Sequence, residues 1–192
     1  IRPVTGVVKK VVRSGSEPKS QVSISFAGDA PYSEEEQLRL DALVEVLNIR
    51  IIDVLREKLT LIYGGGMRGG LVRTPYPHYQ LSLTLPCAPE NVEKVITAAM
   101  AEIQLLQEAG VDAADWSKVK QNWLTNHRKN LRENSFWSTR LQSAVLHGTD
   151  AASMLNYERQ LEAITPEQLQ AVAKRYLNRG NYVQVVRYPE KK

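Results

Sequence analysis

Strand-type sequence stands at both ends of this chain and helix-type sequence fills most of the space between, and that order constrains the fold more than any other feature. Val7, Val8, Val11 and Val12 form a β-branched run, and Val22, Ile24 and Phe26 alternate with Ser23 and Ser25 at period two. Turn-forming residues from Ser14 to Pro18 separate the two. Tyr79, Leu81, Leu83 and Leu85 alternate with Gln80, Ser82 and Thr84 in a half-buried strand that Pro86 is expected to end, and Tyr182 to Tyr188 closes the chain as another strand. The expected fold class is α+β, a largely antiparallel sheet covered on one face by helices.

The helices announce themselves by caps and period. Ser33 followed by Glu34, Glu35 and Glu36 reads as an N-cap with acids in the first turn; Leu40, Leu43, Val44, Leu47, Ile51 and Leu55 then recur at helical spacing, which predicts an amphipathic helix from about Ser33 to Lys58. A second helix follows Pro89 and stops at Gly110, and a third is capped by Asp112, with Trp116, Val119, Trp123, His127 and Leu131 on its inner stripe. Others start near Ser135 and Asp150. Thr165-Pro166-Glu167-Gln168 is a capping box with proline in its first turn and opens the last helix, which ends near Asn178 and Gly180. No repeat or linker interrupts residues 1–192, so a single domain is expected.

Composition excludes several classes. With 43% hydrophobic and 24% charged residues, the 192-residue chain is neither disordered nor fibrous. A net charge of +4 is a modest excess that leaves a polyanion partner open without indicating one. The densest apolar stretch, Leu38 to Leu61, is interrupted by Arg39, Asp41, Glu45, Arg50 and Asp53, so no membrane span is expected. The chain begins at Ile1 without a leader pattern and reads as a piece of a longer polypeptide, with any targeting signal outside it.

Few residues suggest chemistry of their own. The histidines, His78, His127 and His147, share no helical face at the spacing of helical zinc motifs, and no metal site is expected in this chain. His127 reads as a hydrogen-bonded, partly buried ring, His147 as a helix C-terminal residue, and His78 as part of a loop leading into a strand. Cys87 has no basic neighbour in sequence to activate it and reads as an inert thiol. Gly64 to Gly70 lacks the order of a phosphate-binding loop and follows a helix rather than preceding one, so a bulged or twisted strand is expected. Lys118, Lys120, Arg128, Lys129 and Arg132 make a charged helix face, with nucleic-acid binding as the remote alternative. Arg56, at the end of the first helix, and Tyr63, just before the glycines, stand out as a pair; taken alone they read as a surface arginine and a packed aromatic.

The order of elements, the Leu55-Arg56-Glu57-Lys58 helix end, Tyr63, and the final helix from Ile164 to Leu177 with its closing strand together resemble the pitrilysin/insulinase family of zinc metallopeptidases, which includes the mitochondrial processing peptidase. Within that family the chain is most similar to bacterial zinc proteases of the pyrroloquinoline-quinone-biosynthesis-protein type. The resemblance implies homologous α+β domains in two halves that enclose a chamber. It further implies a zinc ion on an N-terminal half with a His-x-x-Glu-His motif, absent here, and an arginine and a tyrosine from the second half. Arg56 and Tyr63 match that pair in type and spacing, which identifies the chain as similar to a C-terminal, non-zinc domain. Many relatives have glycine where Thr60 stands and a small residue where Ile62 stands.

By that resemblance, Tyr63 would stabilise the oxyanion formed when a peptide carbonyl is attacked, and Tyr63 and Arg56 would bind substrate. The implied partners are a peptide or unfolded protein substrate and a homologous zinc-bearing half, in the same or another chain; the domain alone would be inactive. The implied location is the periplasm of a Gram-negative bacterium, with the cytoplasm as alternative. A catalytically inactive scaffold of the same fold is the competing reading.

Overall fold

The computed structural model describes residues 2–190. Five strands, β1 (Val7–Arg13), β2 (Ser20–Asp29), β3 (Gly66–Val72), β4 (His78–Cys87) and β5 (Tyr182–Tyr188), form one sheet in the order β1-β5-β2-β4-β3. Every pairing is antiparallel except β1 with β5. The period-two patterns translate directly into faces. Val22, Ile24 and Phe26 of β2 and Leu81, Leu83 and Leu85 of β4 are fully buried beneath helices, whereas Ser23, Ser25, Ser82 and Thr84 lie on the opposite, polar face.

The helical layer consists of α1 (Glu34–Ile51), α2 (Val92–Glu108), α3 (Ala113–Asn130), α4 (Asn134–His147), α5 (Tyr157–Glu162) and α6 (Pro166–Tyr176). Leu40, Leu43, Leu47 and Ile51 of α1, Val95, Ala99 and Ile103 of α2, and Leu169 and Val172 of α6 complete one core with the inner sheet face. Polar side chains tie the helices together where backbone groups would otherwise be orphaned. Gln107 Nε2 donates to the carbonyls of Ala173 (3.1 Å) and Leu177 (2.7 Å) at the end of α6, and Trp116 Nε1 donates to Ile164 O at 3.0 Å. Thr165 and Gln168 form the expected capping box.

The sheet's glycine-rich edge is bound to α1. Asn48 clamps one β3 residue from both sides: its Nδ2 donates to Met67 O (3.1 Å) and its Oδ1 accepts from Met67 N (2.6 Å). A Cβ on the neighbouring Gly66 would lie 2.6 Å from Asn48 Oδ1, so the close approach requires glycine there. Gln37 Oε1 accepts from Leu71 N at 2.7 Å farther along. An edge strand's free groups are thereby partly covered.

Several expectations change in detail. The first helix does run from the Ser33 cap to Lys58, but its last seven residues, Ile52–Lys58, form a π-helix. Its wider turn moves Arg56 from the angle that a 3.6-residue period assigns. The strand containing Pro86 continues to Cys87, because Pro86, which has no N–H to give, lies beyond the end of the β3 ladder. His78 is the first residue of β4 rather than part of the preceding loop. The segment after Asp150 begins as a 3-10 helix, Ala151–Asn156, and only then becomes α5.

Candidate functional site

Arg56 and Tyr63 flank the passage from the end of α1 to β3, and each step of that passage has a local cause. The π turn closes with Leu59 N donating to Val54 O at 3.0 Å, and Leu61 N donates to Leu55 O at 2.8 Å. Thr60 has φ 50°, the left-handed conformation that costs a β-branched residue about 1–2 kcal/mol and glycine nothing. Thr60 takes up this turn with its hydroxyl donating to Leu59 O at 2.8 Å.

Past the turn, Ile62 bridges Cys87 and both are buried on the core side. Tyr63 N donates to Pro86 O at 3.2 Å, so the next side chain emerges on the polar face, where Tyr63 is 64% exposed. Ladder pairing resumes at Gly66 opposite Thr84. The upper strand thus advances from residue 62 to 66 while its partner advances from 87 to 84, one residue fewer, which defines a β-bulge. Gly65 absorbs it at φ 110°, where a Cβ would collide with the Thr84 carbonyl oxygen.

Tyr63 therefore stands upright on an open, polar sheet face beside the start of β2. Its neighbour there is Lys19, whose ammonium pKa is raised chiefly by the ion pair with Glu17 (2.9 Å), with a smaller contribution from Tyr63. Arg56 is exposed on the π turn, and its nearest carboxylate is Glu57 at 3.6 Å, so its donors are largely uncommitted. Arg56 and Tyr63 make no hydrogen bond or ring contact with each other among the described residues; both offer donors outward instead.

The other singled-out residues fall elsewhere. Cys87 is buried in β4, and burial together with the charge of Glu90 raises its thiol pKa. His147 ends α4 before a left-handed Gly148. His78 Nδ1 lies 2.7 Å from Tyr76 O. His127 is half-buried, but its partners are rings rather than hydrogen bonds: it stacks on Tyr157 at 4.4 Å between centroids and meets the edge of Phe136 at 5.7 Å. Burial lowers its pKa, assisted by Arg140 and Arg128 against Glu158. Of the basic α3 residues, Arg128 is bonded to Glu158 and Lys118 to Asp115. Among the described residues, no group of three or more His, Cys, Asp or Glu could hold a metal ion, and no helix is long and apolar enough to cross a membrane.

Sequence reasoning did not single out Asp41, which appears there only as a charge interrupting an apolar run. Burial raises its carboxyl to about 6, opposed by a hydrogen bond from Gln37. No local motif distinguishes it, because the rings that help enclose it, Trp123, Phe136 and Tyr157, come from segments more than eighty residues away.

Comparison with known proteins agrees with the architecture. Residues 2–123 match the model of the peptidase M16 inactive domain. The chain is 27% identical over 208 aligned positions to a zinc protease PQQL-like protein of Arabidopsis thaliana, covering 97% of the chain and 22% of that protein. It spans, in other words, about a fifth of that curated relative's length. Among solved structures, the periplasmic protease PqqL from Escherichia coli superposes with a TM-score of 0.83 at 20% identity, over 97% of this chain and 21% of that one. A peptidase M16 inactive domain from Pseudomonas fluorescens gives 0.78 at 16% identity, over 100% and 46%. From the α+β fold and the family match over residues 2–123, this chain belongs to the peptidase M16 inactive-domain family.

Proposed function

We propose that this chain is the substrate-binding and transition-state-stabilising half of a zinc-dependent metalloendopeptidase that hydrolyses peptides or unfolded proteins inside a closed chamber. The zinc would belong to a homologous half in the same or another polypeptide; among the described residues of this chain no cluster fits a zinc site. The observation that carries the reading is Tyr63, a large aromatic left exposed on an open face by a bulge that only glycine permits, in a chain of this family.

Attack on a peptide carbonyl moves negative charge onto its oxygen, and a phenolic O–H aimed there forms a hydrogen bond that strengthens as the charge develops. Tyr63 supplies that donor without changing its own charge. Arg56 presents fixed guanidinium donors to backbone carbonyls of an extended peptide, contacts that exist before the chemical step. A periplasmic location is consistent with the description of PqqL as periplasmic, and fractionation of the producing cell tests it.

Steady-state kinetics on the complete protein test the roles. Tyr63→Phe is expected to lower kcat about 10²–10³-fold with little change in KM, the usual cost of one oxyanion donor. Arg56→Ala is expected to raise KM as well as lower kcat. Melting temperatures of both should stay at wild type, since both side chains are largely exposed. Wild-type turnover by well-folded Tyr63→Phe protein would leave the scaffold reading in its place.

A further inference from the structure

A cavity of about 490 Å³ opens in the helical layer, between the N-terminal half of α1, α3, α4 and α5. It lies apart from the proposed Arg56 and Tyr63 site: Asp41 and Arg56 are fifteen positions apart along one helix, roughly 20 Å at 1.5 Å per residue. A space of this size accommodates a small organic ligand or a long side chain.

Its lining combines aromatic surface with the partly buried carboxylate of Asp41. Trp123, Phe136 and the stacked pair of His127 and Tyr157 supply the rings. Asp41 reaches the space from α1, where Gln37 Nε2 donates to its Oδ1 at 2.6 Å; among the described residues no cation pairs with it. Neither arginine in the lining pairs with Asp41 among the described residues. The Arg73 guanidinium lies 3.9 Å from the Tyr32 ring centroid and 3.8 Å from Glu34, and that of Arg140 lies 5.6 Å from the Phe136 ring centroid. A carboxylate withdrawn from water without a countercharge is costly, and a cation entering beside it offsets that cost.

We propose that this cavity binds an alkylammonium group, its chain against the aromatic wall and its charge at the Asp41 carboxylate. The chemistry favours an ammonium over a guanidinium. Gln37 already donates to Oδ1, so a point charge with three rotatable donors fits at Oδ2 more readily than a two-pronged fork that would have to share Oδ1. Ring faces add cation–π attraction. The group could arrive on a lysine side chain of a peptide or on a free diamine.

The pH behaviour follows from Asp41. Around it stand Glu34 on α1, Arg73 beyond β3, His127 on α3, Arg140 and His147 on α4, Asp150, and Tyr157 on α5, of which Tyr157 is coupled to it electrostatically. Its carboxyl titrates at about 6, so binding is present above that pH and lost as pH falls through it.

The test titrates N-acetyl-lysine amide, cadaverine and N-acetyl-norleucine amide into the protein, read by calorimetry and by fluorescence, to which Trp123 in the lining contributes. Saturable binding of at least one amine is expected at about pH 7.5, weakened about tenfold at about pH 5, where Asp41 is one unit below its pKa. Asp41→Asn should abolish it at both pH values without lowering the melting temperature, which separates loss of the site from loss of the fold. Binding of the lysine derivative alone identifies a peptide side chain, and binding of both amines identifies a general amine site. Equal binding of the norleucine derivative, undiminished binding by Asp41→Asn, or no saturable signal from either amine would overturn the proposal, and none of these outcomes bears on the kinetics of Tyr63.

Discussion

The two ends of the first helix are built in opposite ways. At the N-terminal end the first-turn polar groups are engaged. Ser33 caps the Glu36 amide, Glu36 Oε1 accepts from Tyr176 Oη (2.8 Å) and Arg175 Nη1 (3.2 Å), its other oxygen accepts from Arg39 (3.1 Å), and Gln37 holds the β3 backbone. Burial and the Glu36 bond push the Tyr176 phenol up to about 12, so it remains a donor throughout the physiological range. At the C-terminal end the helix widens into π turns, a left-handed threonine and a bulge follow, and Arg56 and Tyr63 are left facing outward. Tight fastening at one end lets the other carry strained backbone without losing the fold, the usual arrangement where a segment presents side chains rather than packs them.

That contrast can be broken at specific points. The largest effect on stability is expected from Gly65→Ala, which forces a Cβ into the Thr84 carbonyl at φ 110°. A loss of about 2–4 kcal/mol in denaturant unfolding is expected, together with displacement of Tyr63 and loss of whatever activity depends on it. A well-folded, fully active alanine variant would mean that the bulge does not aim Tyr63.

Glu36→Ala probes the fastened end. It strands the hydroxyl of the buried Tyr176 and leaves Arg175 without its carboxylate, while Arg39 keeps Glu35, and a loss of about 1–3 kcal/mol is expected. Kinetic constants should change little, because the affected end is remote from Arg56. A kinetic defect as large as that of Tyr63→Phe would show the two ends to be coupled.

Asp41→Asn is expected to have the smaller effect and the opposite sign. The folded carboxyl titrates near 6 and the unfolded one near 4, so between those values the native state binds more protons and stability falls as pH rises. Above about pH 6 the full penalty is present. Removing the charge while keeping an acceptor for Gln37 should therefore stabilise the protein at neutral pH by roughly 1–2 kcal/mol and leave it near wild type at about pH 4. Chemical unfolding at both pH values gives the answer; a destabilised variant at neutral pH would mean that Asp41 already has a countercharge.

Much of the fold is legible in local sequence. Ser33, Asp112, Asp150 and Thr165 each accept a backbone N–H as N-caps, and the alternating runs of β2 and β4 each direct their larger apolar residues inward. The π turn was not legible, because Leu55 continues the stripe of Leu47 and Ile51 under either helical period while Arg56 does not. His127 was placed on the correct stripe, but its stacking partners, Phe136 and Tyr157, come from two other helices. The candidate roles of Arg56 and Tyr63 come from the family resemblance, since taken alone they read as a surface arginine and a packed aromatic, and the face on which Tyr63 emerges can be read only from strand register.

By itself, the sequence determined which segments are helix or strand, where most begin and end, and which side of β2, β4 and the long helices faces the core, because caps, turns and hydrophobic period act over a few residues. Tertiary structure alone decided that β1 lies parallel beside β5, that an extra residue before Gly66 turns Tyr63 onto the polar face, and that Asp41 meets Tyr157 across a cavity. These outcomes depend on pairs such as Glu36 and Tyr176, 140 positions apart, whose energies exist only once the chain has closed on itself.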